Sequence, residues 1–118
     1  SAGTISSHQG NPPDSRMTAA ARNRNLTIQG SARKVNAIDF EKADMLITMD
    51  NFNFSELSKL APNSKAESKI VPFCNFVSSN DTEVPDPYYG GASGFEKVLD
   101  LLEDGCEHLL EHIKPKLT

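Results

Sequence analysis

Long apolar runs are missing from this 118-residue chain. No stretch reaches the length of about eighteen apolar residues that a membrane-crossing helix needs, so no transmembrane span is expected. Cysteine is scarce, with Cys74 and Cys106 only. Neither has a partner at metal-ligand spacing, so no metal site is expected from them. No secretory leader pattern is visible, which favours reduced thiols and a cytoplasmic setting over a disulfide. Both cysteines are expected to behave as small buried hydrophobes. Positive charge is not in excess: 12 Lys and Arg stand against 16 Asp and Glu, for a net charge of −4. A nucleic-acid partner is therefore not expected. Tyrosine occurs twice, and both copies fall in one stretch, EVPDPYYGG at 83–91.

The composition that remains is that of a globular chain, 37% hydrophobic and 24% charged. Its length argues for a single domain, residues 1–118, with a modest core. Charge is unevenly spread. Arg16, Arg22, Arg24, Arg33 and Lys34 lie in the first third; Glu96, Asp100, Glu103, Asp104, Glu107 and Glu111 lie in the last quarter. The acidic run reads as a solvated helix face.

Asp14 is placed to cap a helix over about 15–23, and Asn25 suits the left-handed residue that ends one. Met45 to Met49, bracketed by Asp44 and Asp50, reads as a strand of a parallel sheet buried on both faces. A short helix with Phe54, Leu57 and Leu60 on one side follows and stops at Pro62. Residues 70–74 give a second strand, which Pro72 assigns to an edge or an end. Phe95, Val98, Leu101, Leu102, Cys106, Leu109, Leu110 and Ile113 recur at three and four, the spacing of an amphipathic helix. Ser93 is its candidate cap and Pro115 its end. Strands alternating with helices imply an α/β fold with a parallel sheet.

Chemistry concentrates at Asp86. A residue before proline is pushed into extended conformations, and proline fixes its own φ, so Pro85 and Pro87 stiffen the segment that carries the carboxylate. The segment follows a strand, where open α/β sheets bind ligands. A positioned acid there suits proton transfer to a leaving group. Tyr88 and Tyr89 suit an aromatic substrate. A Pro-rich turn with a capping Asp remains the alternative on these residues alone.

DPYYGG, followed by GFEKVLDLLEDGCEHLL, resembles the end of a low-molecular-weight protein tyrosine phosphatase. SAGT, PPDSR, ARKVNAIDF and DMLITMDNFN occur in that family's order, so the resemblance covers nearly the whole chain. It implies a small three-layer open parallel sheet flanked by helices, and a two-step phosphoryl transfer. A cysteine thiolate attacks phosphotyrosine, and the aspartate of the acid loop, here Asp86, protonates the departing phenolate. No cofactor is implied. The implied partners are a phosphotyrosine-containing protein or a small aryl phosphate.

Two departures stand out. The family's nucleophile sits in a Cys-x5-Arg loop, but Cys74 has Asn80 six positions on and Cys106 has His112. The first strand and its phosphate-binding loop are thus expected to be absent from these residues, leaving the domain N-terminally incomplete. The chain by itself is expected to be inactive and to self-associate through exposed strand edges. Ser7 stands where many relatives carry an aromatic; His8 is the candidate for a polar contact beside the substrate. Asp50 and Asn53 match the family's MD-x-x-N and read as a helix cap. An arsenate reductase on the same scaffold, or a non-catalytic phosphatase-like binding protein, are the alternatives.

Overall fold

The computed structural model describes residues 2–3, 10–28, 30–86 and 91–117. In chain order its elements are β1 (Ala2–Gly3), α1 (Ser15–Arg22), β2 (Arg33–Lys34), α2 (Ala37–Lys42), β3 (Leu46–Thr48), α3 (Asn51–Leu60), α4 (Ser64–Glu67), β4 (Ile70–Pro72) and α5 (Gly91–Ile113). A 3₁₀ turn, Phe73–Asn75, follows β4, and a second, Lys114–Leu117, follows α5.

The strands form two parallel pairs. β1 lies beside β2 with Ala2 opposite Arg33, and β3 lies beside β4 with Leu46, Ile47 and Thr48 opposite Ile70, Val71 and Pro72. Alternation along β3 sends its side chains to opposite faces. Leu46 joins a cluster of Val35, Phe40, Leu57, Ala66 and Ile70 on one face. Ile47 joins Phe73, Val84 and Val98, with Met17 and Leu102, on the other. The expected α/β fold with helices on both faces of a parallel sheet is what forms, and a strand apolar on both faces is what that layering requires.

Side-chain caps set the helix starts. Asp14 Oδ1 accepts from the Arg16 amide at 2.8 Å and opens α1. Asn36 and Asp39 form a reciprocal capping box at α2, and Asn63 Oδ1 accepts from the Ala66 amide at 2.8 Å at α4. α1 ends in a Schellman motif: Asn25 takes φ 62°, its amide donates to the Arg22 carbonyl, and the Leu26 amide reaches back to Ala21. That turn aims Arg24 at α5.

Several expectations change. α5 begins at Gly91, so Ser93 lies inside the helix rather than capping it. The second strand stops at Pro72, which has no N–H to continue a ladder, and Cys74 falls in the 3₁₀ turn. Cys74 is half-buried and Cys106 is exposed, because Cys106 lies off the α5 face that carries the buried Val98, Leu101 and Gly105. On α3 only Leu57 is buried; Phe54 and Leu60 remain exposed, since the element that packs on α3 covers a narrower stripe. The acidic face of α5 is not merely solvated. Arg24 reaches Glu96 (Nε to Oε2, 3.1 Å), Asp100 (2.9 Å) and Glu103 (3.4 Å), clasping α1 to α5.

Candidate active site

The segment that carries Asp86 is held where β3 gives way to α3. Asp50 lies just beyond the strand, which stops at Thr48, and caps the helix, its Oδ1 accepting from the Asn53 amide at 2.7 Å. The helix cap expected of Asp50 from the sequence is what forms. The preceding residue, Met49, accepts from the Val84 amide at 2.7 Å through its carbonyl. The following residue, Asn51, donates its amide to Glu83 Oε1 at 2.8 Å. Val84 itself is buried against Phe73 and Val98. Residues 83 and 84 are therefore pinned to the carboxyl end of β3 and the first turn of α3, and Asp86 follows two residues later, exposed to solvent. Tyr88, Tyr89 and His8 lie outside the described residues.

The surroundings of the loop are acidic. Asp81 accepts from Ser79 Oγ at 2.6 Å, and Lys97 Nζ stands 3.6 Å from its other oxygen. The Ser79 hydrogen bond, helped by Lys97, lowers the Asp81 pKa. Cys74 lies below this group. Burial pushes its thiol pKa up, and the charges of Asp81 and Glu83 push it further. A thiol so placed is a poor nucleophile at neutral pH.

A cleft of about 410 Å³ runs between the two strand pairs, lined by Gly3, Val35, Ile47, Thr48 and Asn53 among others. Thr48 is only 4% exposed, and its Oγ1 has no hydrogen-bond partner among the described residues. Arg33 forks across one wall onto Asp39 at 2.7 and 2.9 Å, holding the Asp39 carboxyl at a pKa of about 2. Among the described residues no group of three or more His, Cys, Asp or Glu is arranged to hold a metal ion. Nor is any helix among them long and apolar enough to cross a membrane.

Sequence reasoning singled out Asp86 but passed over Glu83. No local pattern marks Glu83 as a ligand for a helix amide 32 residues away; only folding brings the two together.

The family model for low molecular weight phosphotyrosine protein phosphatase matches residues 1–118. A Synechocystis protein assigned by name to the low molecular weight protein-tyrosine-phosphatases is 42% identical over 119 residues, spanning 100% of this chain and 76% of its own length. A low molecular weight protein-tyrosine-phosphatase of Bacillus subtilis is 37% identical over 116 residues, 97% of this chain and 72% of that one. Among solved structures, a protein tyrosine phosphatase from Entamoeba histolytica superposes with a TM-score of 0.92 at 39% identity, over 99% of this chain and 75% of that one.

Proposed function

The chain belongs to the low molecular weight phosphotyrosine protein phosphatase family, and from that premise we propose that Asp86 serves as general acid and then general base in a two-step phosphoryl transfer. In the first step a cysteine thiolate forms a bond to phosphorus as the bond between phosphorus and the aryl oxygen breaks, and Asp86 gives its proton to the departing phenolate. A phenol has a pKa near 10, so the proton matters most for leaving groups of that kind. In the second step water attacks the cysteinyl phosphate, Asp86 takes its proton, and the thiolate leaves. Such help is typically worth about 10²–10⁴ in rate. Tyr88 and Tyr89 wall the phenyl ring, and His8 supplies a polar contact at its edge. The substrate is a phosphotyrosine-containing protein or a small aryl phosphate, met in the cytoplasm.

The observation that carries this reading is the double anchoring of the acid loop, through Glu83 and Val84, at the carboxyl end of β3. The nucleophile is supplied from outside these residues. Cys74 has a suppressed thiol, and neither cysteine stands six positions before an arginine. The cleft described above opens between the two strand pairs, β1 with β2 and β3 with β4. With that cleft open, strand edges of two copies can meet, so the 118-residue chain alone self-associates. The same two cysteines do not favour an arsenate reductase, which needs redox thiols beside the phosphate loop.

The test has two arms. The 118-residue chain alone should not release p-nitrophenol from its phosphate above background. In a protein that joins the family's Cys-x5-Arg loop to these residues, Asp86→Asn should slow phenyl phosphate turnover by about 10²-fold or more while KM changes little. Unchanged turnover removes Asp86 from the acid role.

A further inference from the structure

We infer that Glu83 is the positioning residue of the acid loop, aiming Asp86 by binding the amide of Asn51; the inference rests on the acid role of Asp86 proposed above. The first amides of a helix have no partner within it. At α3 two carboxylates share them: Asp50 takes the Asn53 amide at 2.7 Å, and Glu83 takes the Asn51 amide at 2.8 Å. Asp50 belongs to the helix's own chain entry. Glu83 arrives from the acid loop, so its bond couples loop to helix. The partial positive charge of the helix end favours a carboxylate there.

The geometry makes this a second anchor rather than a duplicate. Val84 is held by its amide to Met49 and by burial beside Phe73 and Val98. One anchor leaves a pivot, and two remove it. From Val84 onward little rotation is left, because Val84 precedes Pro85 and Pro85 fixes its own φ. Orientation set at Glu83 and Val84 is thus passed to Asp86. Loss of the Glu83 bond frees the loop to turn about Val84 without exposing the core beneath it.

The charge of Glu83 and its hydrogen bond are separable. Glu83→Gln keeps an acceptor oxygen and loses the charge, whereas Glu83→Ala loses both. Amide exchange, read by NMR in the protein that carries the Cys-x5-Arg loop, should show the Asn51 N–H less protected in Glu83→Ala and restored in Glu83→Gln. In the protein carrying the Cys-x5-Arg loop, kcat/KM reads the first transfer only. Glu83→Ala should lower it about tenfold or more for phenyl phosphate, the scale of a displaced catalytic group, and less than about twofold for 2,4-dinitrophenyl phosphate, whose leaving group needs no proton. Glu83→Gln should remain near wild type on both, and Glu83→Ala should add nothing to Asp86→Asn. Equal losses on the two substrates, a Gln variant as poor as Ala, additivity with Asp86→Asn, or unchanged Asn51 protection would each overturn the inference. Unchanged phenyl phosphate turnover in Asp86→Asn would instead overturn the acid role of Asp86, and the inference with it.

Discussion

The tip of the Phe73 ring abuts Gly105: a Cβ built on that glycine would overlap the ring atoms. Phe73 is 2% exposed and stands in the 3₁₀ turn after β4, while Gly105 is midway along α5. The missing side chain at 105 lets the helix close over the sheet. The same ring packs on Val84, so this contact lies beside the residues that anchor the segment carrying Asp86.

Gly105→Ala should therefore destabilise the fold. Alanine improves helix propensity by about 1 kcal/mol. Forcing a methyl into a filled core costs about 1–3 kcal/mol, and here the neighbour is a rigid ring with no free end to move. The clash wins, and urea denaturation should show a lower midpoint. Phe73→Leu should recover part of the loss in the double variant, since the two residues touch. An unchanged or higher midpoint for Gly105→Ala alone would contradict the contact.

Asp50→Ala should cost about 1 kcal/mol, the usual loss for a helix N-cap, whereas Asp50→Asn should cost much less because an acceptor remains. Thermal melts of the two variants against the parent check the order.

Arg24→Met should lower the melting temperature by removing the clasp onto Glu96, Asp100 and Glu103. All three acids are well exposed, so the effect should shrink as salt rises toward 1 M, where screening acts over about 3 Å. A salt-independent loss would assign the role of Arg24 to packing instead.

Acid should weaken the fold in a window set by Asp39. The Arg33 fork, with help from the Asn36 amide, holds its folded pKa at about 2, against about 3.9 in an unfolded chain. A depressed folded pKa contributes stability above the unfolded value, and that contribution disappears as pH falls from about 4 to about 2. Asp14 and Asp104, also lowered by their hydrogen bonds, act with the same sign. In Asp39→Asn the denaturation midpoint should vary less with pH across this window than in the parent.

Iodoacetamide at neutral pH should label Cys106 before Cys74. Cys106 is exposed, whereas burial and two nearby carboxylates suppress the Cys74 thiolate. Mass spectrometry of a time course checks the order; faster labelling of Cys74 would remove the argument that it is a poor nucleophile.

Much of this protein was legible residue by residue. Asp14 and Asp50 announced helix starts, Asn25 a helix end, and the Met45–Met49 run a strand covered on both faces, because caps, left-handed turns and apolar periodicity are local properties of a chain. The DPYYGG motif carried the family and singled out Asp86 in the same way. The short α2 and α4 helices were not read, since four to six residues give too little periodicity to register. Partnerships between distant residues were decided by tertiary structure alone. Arg24 meets Asp100 across 76 residues, Asn51 meets Glu83 across 32, and Phe73 meets Gly105 across the space between sheet and helix. Sequence determined which groups this chain can offer; only the packing of α5 and α3 against the strands decided which groups meet, because those contacts depend on helix position and not on any neighbour in the chain.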